Sequence, residues 1–127
     1  MRVPVDDCPA GPRLDAACAE AMGWKLEDGF WWKDGHITQP AENDPWENQI
    51  AWAPSARIEH AWVLMEAERL HVGPLEHSWY CSDRHNFNTI EPFGATTVMV
   101  AETAALAICR VFLKARGVKI VEREQDD

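Results

Sequence analysis

ETAALAICRVFLKARG, residues 102–117, decides the fold. Its apolar residues Ala105, Ile108, Cys109, Phe112 and Leu113 recur at helical spacing, which predicts an amphipathic helix with one buried face. Arg110, Lys114 and Arg116 fall elsewhere around that helix or in its last turn, where positive charge opposes the negative end of the helix dipole. Gly117 supplies a left-handed C-terminal stop. Just upstream, ATTVMVA (residues 95–101) is rich in β-branched residues and reads as a strand feeding directly into the helix.

Working outward, a first helix is predicted over Pro12–Met22, with Leu14, Ala17, Cys18, Ala21 and Met22 on one face, Pro12 in the first turn and Gly23 at the exit. GWKLEDGFWWKDGHITQP follows, with Asp-Gly pairs at Asp28-Gly29 and Asp34-Gly35. Each pair suits a tight hairpin turn, so short strands bearing Trp and Phe should flank them and begin an antiparallel sheet. Residues 38–54 hold three prolines among polar groups and no sustained periodicity, which predicts a long loop of the kind that often carries function. Ser55 is placed to cap a second helix from about Ala56, its apolar face formed by Ile58, Ala61, Trp62 and Met65 and widened by Val63 and Leu70. Residues 77–82 alternate as a strand, and 83–94 form a second polar loop.

The chain has 127 residues, 46% of them hydrophobic, which fits one domain over 1–127 with a real core, and weakly ordered ends at 1–11 and 118–127. Its formal charge of −9 disfavours bulk nucleic acid and anionic membranes, which require a positive stripe. The N-terminus lacks an apolar run of signal-peptide length and no stretch is long enough to span a bilayer, so a soluble, cytoplasmic protein is expected. Cys8, Cys18, Cys81 and Cys109 are widely spaced and read as free, buried thiols rather than a disulfide framework.

Three blocks carry a family resemblance: GPRLDAACAEAMGW (11–24), PSARIEHAWVLME (54–66) and VMVAETAALAICRVFLKA (98–115). They resemble, in order, the blocks of the phage ABA sandwich domain family of bacteriophages and prophages. The matching positions are Leu14, Asp15, Ala19, Glu20, Met22, Gly23 and Trp24; Ser55, Ile58, Ala61 and Trp62; and Ala107, Ile108, Cys109, Arg110 and Leu113. Pro54 and Arg57 depart from the usual residues. The resemblance implies a three-layer α/β/α sandwich, an α+β fold with a small, mostly antiparallel sheet and three helices, and a viral source. It implies no reaction.

The motifs for chemistry are sparse. His77, Cys81 and His85 are of zinc-ligating types, but an extended 77–82 separates His77 from His85 and no paired Cys-x-x-Cys or His-Glu-x-x-His anchors a site. No nucleophile elbow, phosphate loop or dinucleotide fingerprint occurs, so neither catalysis nor a cofactor is expected. The seven tryptophans are the odd feature. Trp24, Trp62 and Trp79 fit core positions. The adjacent Trp31 and Trp32 must face opposite sides of their strand, which leaves one free to point outward, and Trp46 and Trp52 sit in the polar loop, where exposed indoles mark a contact surface.

Aromatic planes stack on bases, and Arg57 and Arg84 could contact phosphate while Asn86 and Asn88 read base edges. The expected ligand site is therefore Trp31, Trp46, Trp52, Arg57, Arg84, Asn86 and Asn88, with Arg110 as a further phosphate candidate. The expected function is a non-catalytic phage accessory protein that sequesters a small nucleotide-type signal, a cyclic nucleotide or cyclic ADP-ribose variant, as an anti-defence sponge built as a homo-oligomer. Two alternatives stand beside it: an acidic interaction module that inhibits a host protein, and a metal-assisted hydrolase using His77, Cys81, Asp83 and His85.

Overall fold

The computed structural model of the chain describes residues 2–44, 46–83 and 98–122. In chain order its elements are β1 (Arg2–Pro4), α1 (Pro12–Ala21), β2 (Lys25–Glu27), β3 (Phe30–Lys33), β4 (His36–Pro40), α2 (Ile58–Glu68), β5 (His71–Pro74), β6 (Trp79–Ser82), β7 (Val98–Ala101), α3 (Ala104–Ala115) and β8 (Ile120–Glu122). Three helices and three small antiparallel sheets, β1-β8, β2-β3-β4 and β5-β6-β7, make an α+β sandwich. The single sheet expected from the sequence is divided into three.

Thr103 caps α3, its side-chain oxygen accepting from Leu106 N at 3.1 Å. The expected face of α3 is buried, and so are Leu106, Ala107 and Val111, so most of the helix surface is covered rather than one stripe. The reason is its central position: α3 packs against α1, α2 and the β5–β7 sheet. An almost wholly apolar circumference is stable only when neighbours enclose it. Its basic residues bind the surroundings. Arg110 donates from Nε and Nη2 to the Cys8 carbonyl (3.3 and 2.8 Å), and Lys114 pairs with Asp6 at 2.9 Å. Arg116 pairs with Glu68 and donates to the Ala21 carbonyl at 2.9 Å. Arg110 is thus committed to the backbone and is not a phosphate contact.

Both Asp-Gly turns form as read. Asp28 and Gly29 have φ of 53° and 79°, Asp34 and Gly35 of 51° and 80°, the consecutive left-handed residues that match the twist of flanking strands. Leu26 opposes Trp31 across the first hairpin, and a bulge between Trp31 and Trp32 shifts the register against β4. Trp31 goes to the core, while Trp32 lies at the surface with its indole N–H on the Glu27 carbonyl.

In the β5–β7 sheet, Val72, Cys81 and Met99 occupy one register row, with Cys81 fully buried and Val72 and Met99 packed partly buried against the core. On the other face the Tyr80 ring lies over Gly73. The strand expected at 77–82 begins at Trp79, and of the strand expected at 95–101 the described part is Val98–Ala101. All four cysteines are free and buried.

Three expectations are corrected. The second helix begins at Ile58, after Arg57, and Ser55 does not cap it: Ser55 is buried in the loop. Trp62 is no core residue but 51% exposed, because α2 presents Ala61 and Leu64 inward and the neighbouring line of Ile58 and Trp62 turns outward. Trp79, at the start of β6, is also exposed. Toward the ends a strand pair sets Arg2 opposite Glu122 and Val3 opposite Val121, with Val5 N donating to the Lys119 carbonyl at 2.9 Å. Trp24 is buried as expected. No helix among the described residues is long and apolar enough to cross a membrane.

Candidate functional site

The loop after β4 is fixed at both ends by its own polar groups. Ala41 N donates to the Gly29 carbonyl and Trp52 N to the Pro40 carbonyl, each at 2.9 Å, while Asn43 Oδ1 accepts from Ala51 N at 2.7 Å. These bonds fold the segment back against the hairpin and swing Trp52 inward.

Trp52 then becomes the hub of a buried cluster. Its indole N–H donates to the Asp15 carbonyl at 3.0 Å, its ring meets Trp24 edge-on at 4.7 Å between centroids, and it stacks on His60 at 5.3 Å with 21° between planes. His60 Nδ1 accepts from Ala53 N at 3.0 Å, so the neutral ring carries its proton on Nε2. Burial holds the His60 pKa below its ordinary value, with Arg57 adding to and Glu59 opposing the shift.

One turn of α1 supplies the carboxylate. Asp15 follows Leu14 and precedes Cys18 and Ala19 by three and four residues, which puts it on the buried face, and it is only 6% exposed. Its Oδ1 accepts from Ser55 N at 2.8 Å, and Ser55 Oγ in turn accepts from Gly11 N at 2.9 Å. Burial raises the Asp15 pKa, against the lowering effect of the Ser55 bonds. Here is the real work of Ser55: with Asp15 it ties the loop to the start of α1.

Between these parts lies a cleft of about 290 Å³, walled by Asp15 and Ala16 of α1, Leu26 and Trp31 of the hairpin, and Trp52 and Ala53 of the loop. A second, more open basin of about 500 Å³ is formed on the loop by Asn43, Asp44, Asn48, Gln49, Ile50 and Arg57. Arg57 donates from Nη2 to Glu59 Oε2 at 2.7 Å, and its buried Nε has no hydrogen-bond partner among the described residues. A third hollow of about 310 Å³, between α1 and β8, is mostly aliphatic, lined by Ala16, Ala17, Ala21, Val118, Ile120 and Val121 with Arg13 and Glu20 among its walls. It offers no aromatic plane.

The residues singled out from the sequence are therefore dispersed. Trp31 and Trp52 meet at the cleft, but both are buried, so neither is the exposed indole expected. Arg57 belongs to the separate basin, and Trp46 is 91% exposed and lines neither. Arg84, Asn86 and Asn88 lie outside the described residues, as does His85. Cys81 is buried under the sheet, its thiol pushed up to about 12 by burial, while the His77 side chain is in solvent, so the two point to different environments. Among the described residues no three His, Cys, Asp or Glu side chains converge as metal ligands.

Asp15, Trp24 and His60 are the site's residues that the sequence did not single out. For Asp15 a signal existed, a carboxylate at helical spacing from buried positions. For His60 there was none, because its role depends on the loop packing beneath it.

No protein-family model, curated protein or solved structure matches this chain.

Proposed function

We propose that the chain is a non-catalytic accessory protein of the phage type its three sequence blocks resemble, and that it sequesters a small nucleotide-type molecule by holding the planar base in the Trp31–Trp52 cleft. The observation that carries this is one cleft walled by Trp31 and Trp52, buried indoles from distant segments, together with Asp15. Small-molecule sites are concave, mostly apolar and furnished with few polar groups, and the walls here have that character. At about 290 Å³ the cleft is at the small end of such sites and suits a base or nucleoside.

No Arg or Lys lines the cleft among the described residues, and Asp15 would repel a phosphate driven into it. The base is accordingly the part enclosed, with phosphates projecting outward, and a cyclic dinucleotide would engage one base per copy. A second copy closing over the mouth would complete the enclosure, which is where a homo-oligomer fits. The setting is the host cytoplasm, where such a sponge would lower the concentration of a defence signal by mass action. Asp15 is already engaged by Ser55, which fits a structural carboxylate beside a binding cleft.

Calorimetric titration with nucleobases, nucleosides and their phosphates tests this. A nucleoside should bind within a few-fold of its monophosphate, and the ligand should be recovered unaltered after heat denaturation. Leu26, 59% exposed at the cleft wall, gives a variant that spares the core. Leu26→Glu, which sets a carboxylate on an apolar wall of the cleft, should lower nucleotide affinity by about 1–3 kcal/mol while the melting curve stays unchanged. Lack of binding by every base-bearing compound, or recovery of a converted product, would overturn the proposal.

A further inference from the structure

The outward line of α2 calls for a separate account. Ile58 and Trp62 stand one turn apart on the same face and are 49% and 51% exposed. Arg57, immediately before Ile58, closes the basin that also holds Ile50, itself 47% exposed, and Trp46 projects from the same loop. Ile58 and Trp62 thus make an exposed apolar pair on a helix whose inward contacts are already supplied by Ala61 and Leu64. A grouping of this kind on a water-facing surface marks a contact site rather than chance exposure.

Charge selects the occupant. Glu59 and Glu66 flank this face on the helix and Asp44 shares the basin of Arg57, against two guanidiniums, Arg69 at the end of the helix and Arg57, which Glu59 already occupies. The Trp62 indole N–H is bonded to Glu66, which fixes the ring and keeps a carboxylate at its edge. A second copy of a chain with formal charge −9 would bring the same carboxylates face to face. A nucleic acid would meet the same repulsion.

We propose that the Ile58–Trp62 face of α2, with Glu59 and Glu66 at its margins, docks a basic, apolar-faced segment of another protein. Aliphatic side chains of that segment cover Ile58 and the flank of the indole. Its Arg or Lys groups lie over the Trp62 ring and against Glu59 and Glu66, where a cation gains from both the ring and the carboxylates. Neither Ile58 nor Trp62 lines the Trp31–Trp52 cleft.

A synthetic amphipathic helical peptide with Leu on one face and Arg on the other is the probe, with a Glu-for-Arg twin as control, measured by fluorescence anisotropy against the full chain. Binding of the Arg peptide should weaken at least about tenfold in Trp62→Ser and in Glu66→Lys, and should remain in Trp79→Ser, an exposed indole on a different element. It should also fall with added salt. Equal binding to the wild type and Trp62→Ser would overturn the proposal, as would equal binding of the Glu twin. Self-association abolished by Trp62→Ser would assign the face to a second copy instead.

Discussion

His60 shows how much one side chain can depend on its surroundings. Its Nδ1 takes the Ala53 N–H and its ring covers Trp52, so the neutral form is built into the loop. Protonation would replace that acceptor with a donor facing another donor. With the folded pKa held below the ordinary value of 6.5, the His60 contribution is fully present above that value and is lost as pH falls through the folded pKa. Asp15 has the opposite sign: its raised pKa favours the protonated carboxyl, so its contribution is lost as pH rises through the folded value. His60→Gln should therefore cost about 1 kcal/mol at pH 8, the worth of a hydrogen bond, and less at pH 5. Urea unfolding of both proteins at the two pH values measures it, and an identical difference at both would remove His60 as the acceptor. Neither role was fully legible in the sequence. The spacing of Asp15 from Leu14, Cys18 and Ala19 carries a burial signal that a search for apolar periodicity passes over, and its partner Ser55 lies 40 residues away at a position that also suits a helix cap.

At the scale of elements, turn chemistry was legible and helix orientation was not. Asp28-Gly29 and Asp34-Gly35 specify their turns through backbone preferences of the two residues themselves, independent of anything distant. In α2, by contrast, two adjacent lines of residues are apolar, and only packing on α3 selects Ala61 and Leu64 over Ile58 and Trp62. Trp62→Ala should accordingly change stability by no more than about 1 kcal/mol, in the manner of a surface change, whereas Leu64→Ala should cost about 2–5 kcal/mol through loss of a fully buried side chain. Equal costs in thermal melts would mean the helix is turned the other way. The β5–β6 pair offers a sharper test. A Cβ on Gly73 would lie 2.6 Å from Tyr80 Cε1, closer than atoms tolerate, so Gly73→Ala should cost about 1–3 kcal/mol by overpacking. The same substitution in a Tyr80→Ala background should cost little. A penalty that persists without the ring would show that the backbone, and not the aromatic contact, requires glycine there.

Across the whole molecule, stability is organised around α3, which touches both other helices and the β5–β7 sheet while its basic residues reach the N-terminal lead, α1 and α2. The importance of this helix was legible because its apolar content and its terminal signals are local. The joining of the chain ends was not, since strands of three residues carry no readable periodicity and gain their meaning only from each other. That pairing closes the fold: Val121 and Val5 are both buried, and the Val5 N–H is satisfied by Lys119. Ending the chain after Gly117 removes β8, uncovers Val5 and leaves the backbone donors and acceptors of β1 without their ladder. Losing one buried valine and several ladder bonds should cost at least about 3 kcal/mol, a large share of the roughly 5–15 kcal/mol that holds an ordinary domain together. Val121→Asp, which places a carboxylate where a side chain is 3% exposed, should approach the same loss without shortening the chain. Chemical denaturation of both variants, read against the full chain, checks this. If both unfold at the wild-type midpoint, the β1–β8 pair is not a working part of the fold, and the α3-centred core stands without it.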